Sequence, residues 1–355
     1  MAESKPKIIW ITQFPLSGVS FGAVSHQLLT PLSKKYDIYC LSFGYDGQPL
    51  NLGYTILPFS AGSHIDFYWK EIKPDLVVLF HAVVALPKVM AMGRFTEPSI
   101  LYVPVEGHRV PPSYHSYFQH FDRILTPSKW SQDALARDKI NSEILPHGVN
   151  ADFYHEYDRK NEAFTFGYFG SNDMRKQVTS IMDAFVLLKG KKQLNLATPI
   201  QGNMDLGECS KELNITPKFQ KALARGLPVT ADKIREFYWS LNAYIGLGTE
   251  GFGLPPLEAA STGIPNIAMD YGASKEVLGN SALYIKPVTT QLSPLGRIGI
   301  IDYKEVAKVM QYLKEDENEC KKLGQKGIQR AKKFPWDIPI KRLDKIIEEE
   351  LNARK

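Results

Sequence analysis

Short apolar runs rich in β-branched residues alternate along this chain with longer amphipathic segments, the pattern of βα units built on a parallel sheet. In the first half the runs predict strands over Lys7–Thr12, Asp37–Ser42, Thr55–Phe59, Asp75–Phe80, Ser99–Val103, Arg123–Thr126 and Glu143–Leu145. Helices fit between them, over Ala23–Lys35 and over Ser128–Arg137, where Ser128 after Pro127 has the chemistry of an N-cap. The same grammar restarts at Phe164–Tyr168. A helix follows near Val178–Leu188, then strands over Leu194–Thr198, Ala243–Gly248, Asn266–Met269 and Leu283–Ile285, and a helical pattern from Asp302 onward. The polar stretch Asn150–Ala163 between the two series reads as a linker.

At 355 residues the chain is long for one core and suits two domains of about 150 residues each. Two doubly wound sheets bind ligands beyond the carboxyl ends of their strands, so the loops after the strands are where chemistry is to be sought. Charge narrows the choice of ligand. Residues 1–150 carry 13 Lys and Arg against 12 Asp and Glu, and the remainder carries 30 against 26. Neither half has the basic face of a nucleic-acid binder. The lysine pairs at 191–192, 321–322 and 332–333 read as solvated positions, with weak attraction to an anionic membrane surface left open.

Cys40, Cys209 and Cys320 lie far apart with no zinc spacing. The first seven residues lack a signal-peptide pattern, and the longest apolar stretch, Leu76 to Leu86, is interrupted by His81 and too short to span a bilayer. The expectation is a cytoplasmic protein, peripheral to a membrane at most.

The most informative stretch runs from Thr249 to Gly263, Thr-Glu-Gly-Phe-Gly-Leu-Pro-Pro-Leu-Glu-Ala-Ala-Ser-Thr-Gly. It predicts a strand end, a glycine-bearing turn and a helix opened by Pro255 and Pro256 and stopped at Gly263. Glu250 falls on the loop and Glu258 in the first turns of the helix. Gly251 and Gly253 leave backbone amides open to close approach, and a helix N-terminus favours phosphate. Two carboxylates framing such a turn suit a ligand with many hydroxyls; otherwise the segment is a strand–turn–helix with a capping glutamate.

This segment resembles the Glu-x7-Glu motif of family 4 of the retaining glycosyltransferases. The resemblance implies the GT-B architecture: an α/β chain of two Rossmann-like doubly wound domains facing a central cleft, with a C-terminal helix crossing back to the first domain. It implies domains over 1–150 (acceptor side) and 151–334 (nucleotide-sugar side), with the terminal helix over 335–355. Glu250 would contact the donor sugar and Glu258 the ribose, while amides of Gly251, Phe252, Gly253 and Leu254 would hold sugar hydroxyls and diphosphate.

Further segments resemble the family. The stretch Phe14–Gly22 looks like its N-terminal glycine-rich loop, which places Gly18 and Gly22 near the diphosphate, although the spacing GxGxxG is absent. Pro146–Asn150, Tyr102–Gly107 and Thr126–Lys129 match family segments. Phe334-Pro335-Trp336-Asp337 resembles the family's ending, with Trp336 as a packing residue.

His81, after the strand Asp75–Phe80, would contact the donor sugar by resemblance; by itself a histidine in an apolar run is as well read as a core residue. In Gly170-Ser-Asn-Asp-Met-Arg-Lys176, Lys176 takes the place of the family lysine that holds the diphosphate, whereas Ser171 stands where the family has arginine. Arg175, planar and always charged, could substitute, or the pair is merely exposed ahead of a helix.

The expected activity is retaining transfer of a sugar from a nucleotide-diphosphate sugar to a glycan, lipid or protein acceptor, with no metal and no other cofactor, since no Asp-x-Asp pair is present. Base choice would rest on contacts near Val229–Lys233. The rivals are a non-catalytic nucleotide-sugar or glycan-binding protein of the same fold, a nucleotide-sugar epimerase, and a phosphorylase, for which no pyridoxal lysine can be named.

Overall fold

The computed structural model describes residues 4–16, 20–60, 65–93, 95–225, 227 and 229–353. They divide into two compact units: Met1–Gly148 with Pro294–Gly296 and Trp336–Lys355, and Val149–Ser293 with Arg297–Pro335.

The first unit is built on strands β1 (Lys7–Gln13), β2 (Asp37–Phe43), β3 (Leu50–Asn51), β4 (Thr55–Phe59), β5 (Leu76–Phe80), β6 (Ser99–Tyr102), β7 (Arg123–Thr126) and β8 (Glu143–Ile144). Their order is β3-β4-β2-β1-β5-β6-β7-β8. Neighbouring strands run parallel except β3 against β4. Ile8 to Ile11 and Leu76 to Phe80 are buried on both faces, which is why these central strands read as continuous apolar runs. The first helix covers Ser20–Leu32, three residues earlier at each end than the apolar pattern suggests, and Pro31 lies in its last turn. Ser128 caps the helix Lys129–Ala136, its hydroxyl accepting from the Ser131 amide at 3.1 Å.

The terminal helix Asp337–Asn352 packs within this unit, burying Leu343, Ile346 and Ile347. Asp344 and Glu348 hold the Lys35 ammonium, Asp344 accepts from the Tyr36 hydroxyl at 2.6 Å, and Glu349 lies 2.7 Å from Arg123. Trp336 closes on Gly148 so tightly that a Cβ there would lie 2.7 Å from its ring.

The second unit carries β9 (Phe164–Phe169), β10 (Lys192–Ala197), β11 (Lys218–Phe219), β12 (Ala243–Gly246), β13 (Asn266–Met269) and β14 (Ala282–Ile285) in the order β11-β10-β9-β12-β13-β14, all parallel. A two-stranded ribbon follows, β15 (Thr289–Ser293) and β16 (Gly296–Ile300). The apolar pattern does not announce it, because β15 is polar and exposed on most of its length.

Three sequence readings are corrected. The strand at Ala243 ends at Gly246, two residues early, because Leu247 and Gly248 already belong to the turn. The stretch Asn150–Ala163 is held to the second unit: Arg159 donates to the Thr262 carbonyl, and Asn161 to Asn242 Oδ1 at 2.8 Å. Lys192 is not simply solvated, since its ammonium donates to the carbonyls of Phe185 at 2.7 Å and Leu188 at 2.6 Å at a helix end.

Both sheets change winding direction once, between β1 and β5 in the first unit and between β9 and β12 in the second. Ligands of such sheets bind at this switch point, beyond the carboxyl ends of the strands. Among the described residues no helix is long and apolar enough to cross a membrane.

Candidate functional site

The switch point of the second unit is bounded by the loops after β9 and β12. After β12 the chain turns through Leu247–Gly253 and enters the helix Leu254–Ser261. Gly253 caps the helix with a left-handed backbone (φ 97°), a conformation that glycine adopts without steric cost. Pro255 and Pro256 sit in the first turn, where their missing amides cost the helix nothing. They also reduce the donors at this helix end, leaving the Gly251–Leu254 backbone as the source of N–H groups. Phe252 is buried edge-on to Phe334, with centroids 5.9 Å apart, and Leu254 is buried with it.

Glu250 lies on the loop, bridged through its backbone to Gly272, with its carbonyl accepting from the Ala273 amide at 2.9 Å. Its carboxylate meets both cations from the loop after β9. Arg175 Nη1 donates to Oε2 at 3.0 Å and also to the Thr249 carbonyl at 3.2 Å, while Lys176 Nζ donates to Oε1. The three side chains are 10–15% exposed. Arg175–Lys176 is therefore not a solvated surface pair. Burial alone would raise the Glu250 pKa, but the charges of Lys176 and Arg175 outweigh it and hold Glu250 below the usual carboxylate value. Burial and the neighbouring Arg175 lower Lys176.

Two residues outside the sequence-based set make this contact feasible. A Cβ on Gly248 would lie 2.3 Å from Glu250 Oε1 and 3.0 Å from Lys176 Cδ, so only glycine leaves room for the pair. Gln177 follows Lys176 in a left-handed conformation (φ 53°), and its side chain spans the site's base. Its Nε2 donates to the carbonyls of Leu247 and Gly299, both at 3.1 Å, and its Oε1 accepts from the Ile301 amide at 2.9 Å. These three hydrogen bonds tie the loop after β9 to the loop after β12 and to the end of β16. Nothing in local sequence signals them, because the partners lie 70 and more positions away. Ser171 touches none of the three directly; its hydroxyl donates to Asp173, whose other oxygen lies 3.6 Å from Arg175 Nε.

Glu258 stands apart from that cluster, on a helix whose eight residues are all buried. Tyr238, from the helix Ala231–Trp239, donates its hydroxyl to Glu258 Oε2 at 2.8 Å. Burial raises the Glu258 pKa to about 7, against the opposing effect of Tyr238 and Tyr154. A carboxyl this unfavourable to ionise, in an otherwise apolar helix, is the kind of group found at functional sites.

In the first unit, His81 immediately follows β5 at that sheet's switch point. It stacks on Phe21 (centroids 5.0 Å, planes 16° apart) and meets Phe43 edge-on. The Ala82 amide donates to Nδ1 at 2.9 Å, so the ring proton resides on Nε2. Burial, with the charge of Lys88, lowers the pKa to about 4, and His81 is a neutral Nε2–H donor at pH 7. Gly22 serves close packing: a Cβ would lie 2.2 Å from the Phe14 carbonyl oxygen. Gly18 lies outside the described residues. Among the described residues no three His, Cys, Asp or Glu side chains gather at metal-binding distance.

The glycosyl transferases group 1 family model matches residues 152–330. No curated protein sequence matches the chain. Among solved structures, sucrose-phosphate synthase from Thermosynechococcus elongatus superposes with a TM-score of 0.78 and 14% identity, over 98% of this chain and 100% of that one. Alr3699/HepE from Anabaena, in complex with UDP-glucose, gives 0.72 and 14% over 97% and 99%. An α,α-trehalose-phosphate synthase (UDP-forming) from Burkholderia vietnamiensis gives 0.70 and 10% over 99% and 99%. At these identities the likeness is one of fold, the GT-B arrangement of two Rossmann-like domains.

Proposed function

Because the chain belongs to the glycosyl transferases group 1 family, we propose that it moves a sugar from a nucleotide-diphosphate sugar to an acceptor hydroxyl, with retention and without a metal ion. The observation that carries the reading is the Arg175–Glu250–Lys176 cluster at the switch point of the second unit. Breaking the bond between sugar and diphosphate builds negative charge on the leaving phosphate. Fixed cations near that charge stabilise the transition state more than the ground state. Lys176 and Arg175 supply them, and Arg175 does so although Ser171 stands where the family has arginine. This favours an enzyme over a binding protein that has lost its chemistry.

Glu250, held ionised by the two cations, accepts hydrogen bonds from the donor sugar, and Glu258 accepts them from the ribose. Glu250 acts as a binding group and not as a glycosidase nucleophile; the acceptor attacks from the face the diphosphate leaves. Amides of the Gly251–Leu254 turn add to the diphosphate grip.

The Anabaena structure was solved with UDP-glucose, and the Burkholderia enzyme is named UDP-forming, which makes uridine diphosphate the first nucleotide to test. Calorimetric titration with UDP, GDP and ADP decides the reading. Saturable binding of one of them, followed by release of that nucleotide from its sugar conjugate, is the expected result. A folded protein that binds none of the three rejects it.

A further inference from the structure

Glu258 is held from one side by hydroxyl groups alone. Tyr238 is fully buried and packed edge-on against Tyr154, Tyr244 and Phe169, with ring centroids 5.9, 5.9 and 6.1 Å away, so its ring has no second place to go. Its hydroxyl ends 2.8 Å from Glu258 Oε2. The Tyr154 hydroxyl, from the segment preceding β9, acts on the same carboxyl.

The other titratable neighbours are accounted for. Tyr244 on β12 senses the Glu258 charge, and Asp232 and Arg235, on the same helix as Tyr238, act on Tyr154. The helix Glu317–Ala331 packs against Leu254–Ser261, yet among the described residues no charged side chain from it acts on the carboxyl. Among the described residues Glu258 thus has no cation partner, in contrast to Glu250, and its polar support there is phenolic.

We propose that Tyr238, with Tyr154 behind it, is a positioning residue for Glu258, fixing the carboxylate in the orientation that receives both ribose hydroxyls of the nucleotide. The inference rests on the donor-site reading above. A phenol donating to one carboxylate oxygen leaves the remaining lone pairs of the group for a ligand, and two vicinal hydroxyls match a carboxylate that cannot rotate. Because the same hydroxyl favours the ionised form, removing it makes Glu258 harder to ionise. A purely structural tyrosine would do neither.

The test is nucleoside-diphosphate binding between pH 5.5 and 9 by wild type, Tyr238→Phe, Tyr154→Phe and Glu258→Gln, with uridine, guanosine and adenosine diphosphates as probes. Wild-type affinity should fall on the acid side of about pH 7. In Tyr238→Phe that limb should move up by about one pH unit, so that affinity drops roughly fivefold at pH 7 and returns close to wild type at pH 9. Tyr154→Phe should move it less and in the same direction, and it serves as the test if Tyr238→Phe does not fold. Glu258→Gln should show no such limb. With the 2′,3′-dideoxy form of the nucleotide that binds, Tyr238→Phe should match wild type.

A folded Tyr238→Phe protein with unchanged affinity, or one weakened equally at every pH and equally towards the dideoxy form, overturns the positioning role and leaves the donor site standing. Failure of wild type to bind any of the three nucleotides removes the donor site, and this inference with it.

Discussion

The Lys176 ammonium and the Glu250 carboxylate form a buried ion pair, with side chains only 10% and 13% exposed, and Arg175 takes the second oxygen of the same carboxylate at 3.0 Å. Asp173 lies 3.6 Å from Arg175 Nε, so two carboxylates balance the two cations, with only Glu250 shared between both. A diphosphate entering the site would compete with Glu250 for Lys176 and Arg175.

From this arrangement Glu250→Gln should separate transfer from nucleotide binding. Transfer should fall about 100-fold or more if Glu250 orients the sugar as proposed. Affinity for the free nucleoside diphosphate should stay level or rise, since Lys176 loses its paired carboxylate while Arg175 keeps Asp173. Stability should drop by about 3 kcal/mol, as the buried Lys176 loses its paired carboxylate and Arg175 one of two. Turnover and titration on one protein preparation give both numbers. A loss of nucleotide affinity larger than the loss of turnover contradicts the assignment.

Gly248→Ala tests the same contact by sterics. The new methyl would overlap Glu250 Oε1 at 2.3 Å, and the carboxylate must rotate away from Lys176 or the loop must shift. The expected effect is a loss of about 1–3 kcal/mol in unfolding free energy and a raised donor KM. Chemical denaturation and steady-state kinetics read the two effects. Wild-type values in both would show that the approach of Glu250 to Gly248 is not maintained in solution.

Much of this frame is legible in the residue pattern. The strands Thr55–Phe59, Arg123–Thr126 and Asn266–Met269 match their expected ranges to the residue, although of the three only Asn266–Met269 is buried throughout. Ser128 announces its helix through cap chemistry that is wholly local. What the pattern cannot carry is any feature whose cause is distant in sequence. Gln177 adopts a left-handed conformation rare for a residue with a Cβ because Leu247, Gly299 and Ile301 reward it with three bonds. Gly248 looks like any turn glycine until Lys176 is brought beside it. Tyr238 lies in an ordinary amphipathic helix, and only the packing of that helix near Leu254–Ser261 turns it towards Glu258.

The terminal helix supports a prediction about the first unit. Leu343 is fully buried against it, whereas Lys35, which pairs with Asp344 and Glu348, has a side chain 44% exposed. Leu343→Ala should therefore cost about 2–5 kcal/mol, and Lys35→Ala less than about 1 kcal/mol despite breaking two ion pairs. Urea denaturation of the two variants checks the ranking. Equal losses would mean that ion pairs, and not apolar burial, hold the helix in place.

Glu258 makes the pH dependence of the ligand-free protein informative. In the unfolded chain this glutamate titrates near 4.5, and in the fold burial raises it to about 7. Between those values the native state holds a proton that the unfolded state has released. Stability therefore falls as pH rises through that window, the reverse of the behaviour of a carboxylate in an ion pair such as Glu250. The whole effect amounts to about 3 kcal/mol, from a shift of between two and three pKa units at 1.36 kcal/mol each. Glu258→Gln cannot lose the proton. Relative to wild type it should gain roughly that amount between pH 5 and pH 8 in denaturant-unfolding measurements, while other titrating groups cancel in the difference. Saturating nucleotide should shrink the gap, because ribose hydroxyls would solvate the carboxylate in wild type and have less to offer the amide. Parallel stability curves for the two proteins across this range would mean that Glu258 is ionised without penalty, and that burial does not raise its pKa.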